Sequence, residues 1–390
     1  MIAFKLAIKN LIGAGLRTWL NVFVLSLSYV IIIWYSGIIE GWNRQARRDT
    51  INWQVGGGQY WQEKYDPYDP FTINESHANI PAEIRSLIEE GEMTPLLLSQ
   101  GTIYPGGRMQ SVIIKGINPV QDILKIPSHL LKDEDDFIPA LIGKRMASST
   151  HLEKGDLVTL RWRDVNGTFD AGDVKIVDVF DSTVPMVDNG QIWLPLQRLQ
   201  KITQMEDQAT LLVTAQNFDK NVQIKGWHFK GHDFLFQDLD RIIKSKNIGG
   251  RVLNIILLLL ALLAIFDTQV FSVFRRQKEI GTDIALGMTR WQVIRLFTVE
   301  GALHGVLAAI MGAVYGIPFL YYQAVKGFPL PESTDDFGLA IASEIYPYYS
   351  IGLIISTIII IFISVTVVSY LPTRKITKMN PTEAIRGKIQ

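Results

Sequence analysis

Read from Val252, the chain runs VLNIILLLLALLAIFDTQVFSVF to Phe274, then RRQKEIGTDIALGMTR to Arg290, then WQVIRLFTVEGALHG to Gly305. Val252–Phe274 is almost wholly apolar and about as long as a helix needs to cross a bilayer core of roughly 30 Å. From Leu296 the chain is apolar again, with Gly301, Gly305, Ala308, Ala309, Gly312 and Gly316 recurring every few positions as far as Pro318. Arg275, Arg276, Lys278, Arg290 and Arg295 stand between or beside these runs. Each would cost a few kcal/mol in lipid. The middle piece is therefore a surface element pinned between two spans. Ile280, Ile284 and Leu286 give it one apolar face, which predicts a short helix lying along the membrane and offered to a partner.

Four stretches reach spanning length: Thr18–Ile39, Val252–Phe274, Leu296–Val325 and Ile345–Thr373. Lys5, Lys9 and Arg17 precede the first as they would in a secretion signal, but that run is too long for a cleaved core and lacks a small-x-small site. An uncleaved first span is expected, with residues 1–16 as an amphipathic helix at the interface. The fold class read here is an α-helical membrane protein with four transmembrane helices and a large mixed α+β extracytoplasmic domain between the first two. Its divisions fall at 1–41, 42–247 and 248–390. Cations cluster at the N-terminus, at Arg275–Arg295 and at Arg374–Lys388, whereas Lys326–Glu344 carries one lysine against four acids. That bias predicts a cytoplasmic side for both termini and for the Arg275–Arg295 loop, with 42–247 outside.

Within 42–247, Ser111–Ile117, Asp156–Trp162, Val174–Phe180 and Thr210–Thr214 read as strands between Gly, Pro, Asn and Asp turns. Pro81–Glu90 and Pro139–Leu152 read as helices, the second with Leu141, Ile142, Met146 and Ala147 on one face. Asp233–Lys246 carries Leu235, Leu239, Ile242 and Ile243 on one stripe and leads into the second span through a break at Gly249-Gly250. Glu40–Thr50 extends the first span in the same way. Two stalks would thus carry the outer domain.

The chemistry-bearing patterns are few. There is no cysteine, so no disulfide or thiolate site is available, and 38 basic residues balance 38 acidic ones, giving no global pull toward nucleic acid. No G-x-x-x-x-G-K-[ST] loop occurs, so ATP hydrolysis by these residues is not expected. Gly56-Gly57-Gly58 is too short for a nucleotide loop. His228 and His232 have i,i+4 spacing that suits a metal only on a helix, and their aromatic neighbours predict strand or loop instead. Asp133–Asp136 reads as a solvated acidic loop. Asp267 and Glu300 are carboxylates inside apolar spans, where such groups are either functional or hydrogen-bonded between helices.

The residues then reach a family. Arg276-x-x-Glu279-Ile280-Gly281, Ala285-Leu286-Gly287-x-Thr289, Leu296 and Glu300-Gly301 resemble the FtsX-like permease family of ABC transporters, the lipoprotein-release and macrolide-exporter class. Leu371-Pro372-x-Arg374-Lys375, Asn380-Pro381-Thr382-Glu383-Ala384-Ile385-Arg386 and the early Asn10-Leu11 with Arg17-Thr18-x-Leu20 extend the likeness. Ile142-Gly143-x-x-Met146-Ala147, Lys154-Gly155-Asp156-x-Val158, Val177-x-Val179-Phe180 and Trp193–Leu196 resemble a MacB-like periplasmic core domain. Asp267 and Thr282-Asp283 depart from the family pattern.

That resemblance implies a permease subunit, not an enzyme, in a bacterial inner membrane. A separate cytoplasmic ATPase dimer would hold ATP and Mg, and this chain would bind no cofactor. Glu279, Gly281, Ala285, Leu286, Gly287 and Arg290 would form the coupling helix, and a second permease chain, like or unlike this one, would complete the complex. Movement of the outer domain would then export or extract lipoprotein, peptide or amphiphilic cargo, with a periplasmic adaptor as a further partner. Gly301, Gly305, Gly312 and Gly316 suit tight helix packing. The alternatives are a signalling permease that activates a cell-wall hydrolase and a membrane-tethered binding domain without any ATPase.

Overall fold

A computed structural model describes residues 16–132, 137–218, 222–329 and 344–374. The interfacial helix expected at the N-terminus, the acidic run Asp133–Asp136 and the tail from Lys375 onward lie outside the described residues. The main helices are α1 (Leu16–Thr50), α2 (Lys144–Thr150), α3 (Leu196–Thr203), α4 (Gln237–Arg275), α5 (Gln277–Ala285), α6 (Arg290–Lys326) and α7 (Ile351–Thr373). The chain divides into two compact units. One gathers residues up to Trp42, Ile243–Phe328 and residues from Ile345; the other gathers Asn43–Ile242 and the described ends of Pro329–Glu344.

In the first unit, α1, α4, α6 and α7 are long and apolar enough to cross a membrane. Val22, Leu25 and Tyr29 of α1 meet Ala261 and Ile265 of α4, Ala308 of α6, and Ile361 and Val365 of α7 in one buried cluster. Polar side chains tie the helices together where water cannot. Asn21 donates to the Thr268 hydroxyl at 2.6 Å and Asn254 to that of Ser36 at 2.9 Å, while the Ser26 and Tyr315 hydroxyls lie 3.0 Å apart. Such bonds are worth about 0.6–2 kcal/mol each in a bilayer. The expected break at Gly249-Gly250 is absent: α4 runs through both glycines. A Cβ on Gly250 would lie 3.2 Å from the Tyr35 ring, so the missing side chain serves close packing, not a hinge. The fourth helix starts at Ile351, capped by Ser350 accepting from Leu353 N, and not at Ile345. Tyr346 and Tyr349 instead pack against Gly41 and Gly37 of α1, where a side chain would collide with them.

The second unit holds strands β1 (Gly58–Gln62), β2 (Met93–Ile103), β3 (Gln110–Ile117), β4 (Ile138–Gly143), β5 (Leu157–Arg163), β6 (Phe169–Phe180), β7 (Gln191–Pro195), β8 (Leu211–Thr214) and β9 (Trp227–Lys230). Their order is β9-β1-β8-β2-β3-β7-β4-β6-β5, mixed, with β3–β7 and β4–β6 parallel. The C-terminal end of β2 also pairs with β5, Gly101 facing Trp162, so six strands close on themselves. A Cβ on Gly101 would fall 2.6 Å from Ile114 Cδ1 and 3.1 Å from the Arg161 carbonyl, which explains glycine at that closure. Leu97, Ile114, Ile142, Leu160, Ile176 and Ile192 fill the interior, with Met146 of α2 and Leu199 of α3 packed in the same cluster. A second core on the opposite face holds Leu98, Ile117, Leu141, Phe180 and Trp193.

Pro139–Leu152 is a correction. Ile138–Gly143 is a strand, and only Lys144–Thr150 is helical. Leu141 and Ile142 therefore fall in opposite cores, not on one helical face. Every residue of β4 is buried, so its apolar run carries no alternation to mark it as a strand.

Candidate functional site

The charged stretch between α4 and α6 forms a compact knuckle. At Arg276 the helix is interrupted (φ −99°, ψ 17°), and α5 follows at once. Ile280 and Gly281 are buried, and Ile280 joins Val273, Val293, Ile294 and Phe297 in a small apolar cluster. The inward face of α5 thus fastens it to the ends of α4 and α6. Its C-terminus closes with Leu286 N on Thr282 O (2.9 Å), Gly287 N on Ile284 O and Met288 N on Asp283 O (both 3.0 Å). Gly287, at φ 103°, supplies the left-handed turn that L side chains avoid. A capping box then starts α6: Thr289 Oγ1 accepts from Gln292 N at 3.3 Å, and Gln292 Oε1 accepts from Thr289 N at 2.8 Å. Both ends of the turn are therefore fixed locally.

Arg276 is the hub. Its Nε donates to Glu279 at 2.7 Å, its Nη1 donates to Glu300 at 3.0 Å, and its guanidinium lies 4.8 Å from the Phe297 ring centre. Burial by itself would lower its pKa, but the hydrogen bonds and charges of Glu279 and Glu300 outweigh that and hold it above the ordinary arginine value. Glu300 is a buried carboxylate on α6, its side chain 9% exposed. The pair therefore clamps the start of α5 to the third span, and any load on α5 reaches α4 by chain continuity and α6 by this clamp.

The outward face differs. Glu279, Ala285, Gly287 and Arg290 are exposed, and Leu286 and Trp291 are 82% and 68% exposed. Gly287 has nothing within 4 Å of where a Cβ would stand. An exposed leucine and tryptophan flanked by charges have the composition of a surface that docks into a groove. Of the expected coupling residues, Gly281 alone turns inward. Trp291 and the Arg276–Glu300 link escape a reading by spacing, because their roles follow from α5 folding back on α6.

The four packing glycines all sit between helices of this chain. A Cβ on Gly301 would collide with Ser369 of α7, and one on Gly305 would meet Val365 at 3.6 Å. Gly312 and Gly316 face Ser26 and Val30 of α1. Asp267 is exposed on α4 and has no hydrogen bond or ion pair among the described residues. In the second unit, His228 lies on β9 while His232 Nε2 meets the Gly56 carbonyl at 2.9 Å, so the two share no helix. Among the described residues no group of His, Cys, Asp or Glu is arranged to hold a metal ion.

Residues 251–381, which contain the knuckle, match the FtsX-like permease C-terminal family. The chain is similar to the macrolide export ATP-binding/permease protein MacB of Chromobacterium violaceum, 26% identical over 164 residues, which is 40% of this chain and 23% of that protein. It is also similar to the ABC transporter permease YtrF of Bacillus subtilis, 30% identical over 145 residues, 36% of this chain and 33% of that protein. The lipoprotein-releasing system transmembrane protein LolC of Xylella fastidiosa is 23% identical over 320 residues, covering 73% of this chain and 75% of LolC. The chain thus spans a quarter to a third of the length of the first two.

Proposed function

We propose that this chain is the membrane subunit of an ABC transporter in an inner membrane, and that residues 276–291 receive the stroke of a separate ATPase. The observation that carries this reading is the two-sided knuckle: its inner face is clamped through Arg276–Glu300, while Leu286 and Trp291 are left bare. ATP and Mg belong to the partner, whose closure pushes α5 and so tilts α4 and α6 together. The stroke passes along α1 and α4 to a strand-rich domain on the opposite side of the membrane. That placement follows the cation bias, which also assigns both termini to the cytoplasm. Arg47 and Asp240, paired near the outer ends of α1 and α4, join the two stalks.

Transport works by this movement and not through a channel. In support, the polar side chains of Asn21, Ser26, Ser36, Asn254, Thr268 and Tyr315 are engaged in bonds between spans. A second permease chain covers Asp267, whose carboxylate is too costly to leave against lipid. Lipoprotein, peptide or amphiphile is the cargo that relatives named for lipoprotein release and macrolide export suggest. The test is Leu286→Glu in the complex purified with its ATPase. ATP hydrolysis should lose its stimulation by the permease while the variant inserts normally. Unaltered stimulation would overturn the assignment of 276–291.

A further inference from the structure

A cleft of about 650 Å³ opens on the strand-rich unit between residues 67–74, strands β2 and β3, and the β5–β6 hairpin. Its volume lies within the roughly 300–1,000 Å³ of small-molecule sites. Two arginines line it, Arg161 and Arg163, and among the described residues no aspartate or glutamate does. They are two apart on β5, so they share a face with their Cα atoms about 6.5–7 Å apart. The Arg161 guanidinium lies 4.2 Å from the Phe169 ring centre and makes no hydrogen bond or ion pair among the described residues. Arg163 uses its Nε on the Gly167 carbonyl at 3.2 Å. Neighbouring acids are committed elsewhere: Asp164 accepts from the backbone N–H of Asn166 and Thr168, and Asp69 caps Phe71 N. Beside the arginines, Phe169 and Met109 are 61% and 71% exposed.

We infer that this cleft binds a small amphiphilic anion. Its carboxylate or phosphate head would lie between Arg161 and Arg163, and its apolar arm over Phe169 and Met109. A guanidinium presents planar, paired donors that match either oxyanion. The cation–π stack on Phe169 presets the Arg161 side chain, so less rotamer freedom is lost on binding. An apolar ligand without charge would leave both arginines unanswered. A bare anion would leave the exposed ring and thioether in water. Binding in this cleft is independent of coupling to an ATPase and is measured without ATP.

The experiment uses the full chain in phosphatidylcholine nanodiscs, with empty nanodiscs as reference, and saturation-transfer NMR titrations of 4-phenylbutyrate, 4-phenylbutyl phosphate and neutral 4-phenylbutanol. At least one anion should bind saturably and at least tenfold more tightly than the alcohol, and the tighter anion identifies the head group. Arg161→Gln with Arg163→Gln should weaken it at least tenfold without changing the melting temperature. Should that variant unfold, Ser111→Glu, which adds a carboxylate to the exposed cleft wall, is expected to abolish anion binding. Equal affinity for the alcohol, no saturable binding of either anion, or undiminished binding in a folded variant would overturn the proposal.

Discussion

Replacing Arg276 by Met removes the guanidinium that holds Glu279 at 2.7 Å and Glu300 at 3.0 Å, and keeps much of the apolar stem against Phe297. The two contacts are unequal. Glu279 is 64% exposed, so its ion pair is worth about 0–1 kcal/mol. Glu300 is almost buried, and removing the cation from a buried ion pair costs roughly 3–5 kcal/mol. Arg276→Met should therefore destabilise by roughly 3 kcal/mol. Glu300→Leu, which leaves the partly buried arginine with only the exposed Glu279, should be comparable. The double variant leaves no buried charge unpaired and should recover most of either loss. Equilibrium unfolding by SDS in mixed micelles, followed by helix content, gives the four stabilities of the cycle. Single effects that add to within about 0.5 kcal/mol would refute the clamp, because uncoupled residues behave that way.

Other outcomes follow from the same geometry. Gly301→Ala should lower stability by about 1–3 kcal/mol, because its Cβ meets Ser369, whereas Gly305→Ala, with 3.6 Å of clearance, should change it by no more than about 0.5 kcal/mol; the same unfolding assay compares them. Lys115 sits half-buried in β3 with its ammonium 4.9 Å from the Trp193 ring centre, and burial pushes its pKa down to about 8. Between about pH 8 and 10.4 the unfolded chain holds a proton that the native chain lacks, so stability should rise with pH across that window, and the penalty is full below it. Lys115→Met should therefore stabilise at pH 7 by on the order of 2 kcal/mol and flatten that rise in melting temperature. Reporter fusions at Asp170 and Gln390 should report opposite compartments, and one shared compartment would sink the assigned topology.

The spans were legible because about 20 apolar residues in a row have few other uses. Strand β5 was legible for a different reason: its residues alternate between exposed and buried along Leu157–Arg163, the period-two mark of a half-buried strand. Strand β4 was not, since it lies between β6 and β7 and buries all its residues. The glycines misled as well. Gly287, expected within the coupling helix, stands at φ 103° in the turn after α5 ends at Ala285, and Gly249-Gly250 punctuates nothing once Tyr35 packs there. At the candidate site, Arg276, Glu279 and Glu300 could each be singled out, but their convergence could not. It depends on α5 folding back across 24 residues of sequence to meet α6. The cleft was hidden for the same reason, because Gln100, Ser111 and Arg161 come from three strands.

The absence of native cysteine allows the most direct test of the coupling claim. Leu286→Cys and, as a control, Val314→Cys on the third span are each labelled with benzophenone maleimide in membranes containing the complex, then irradiated; both native side chains are more than 70% exposed. Position 286 should give a cross-linked product that contains the ABC ATPase, identified by mass spectrometry, and position 314 should give none. An inserted, labelled Leu286→Cys chain that yields no ATPase adduct, or an equal adduct from Val314→Cys, would contradict that claim.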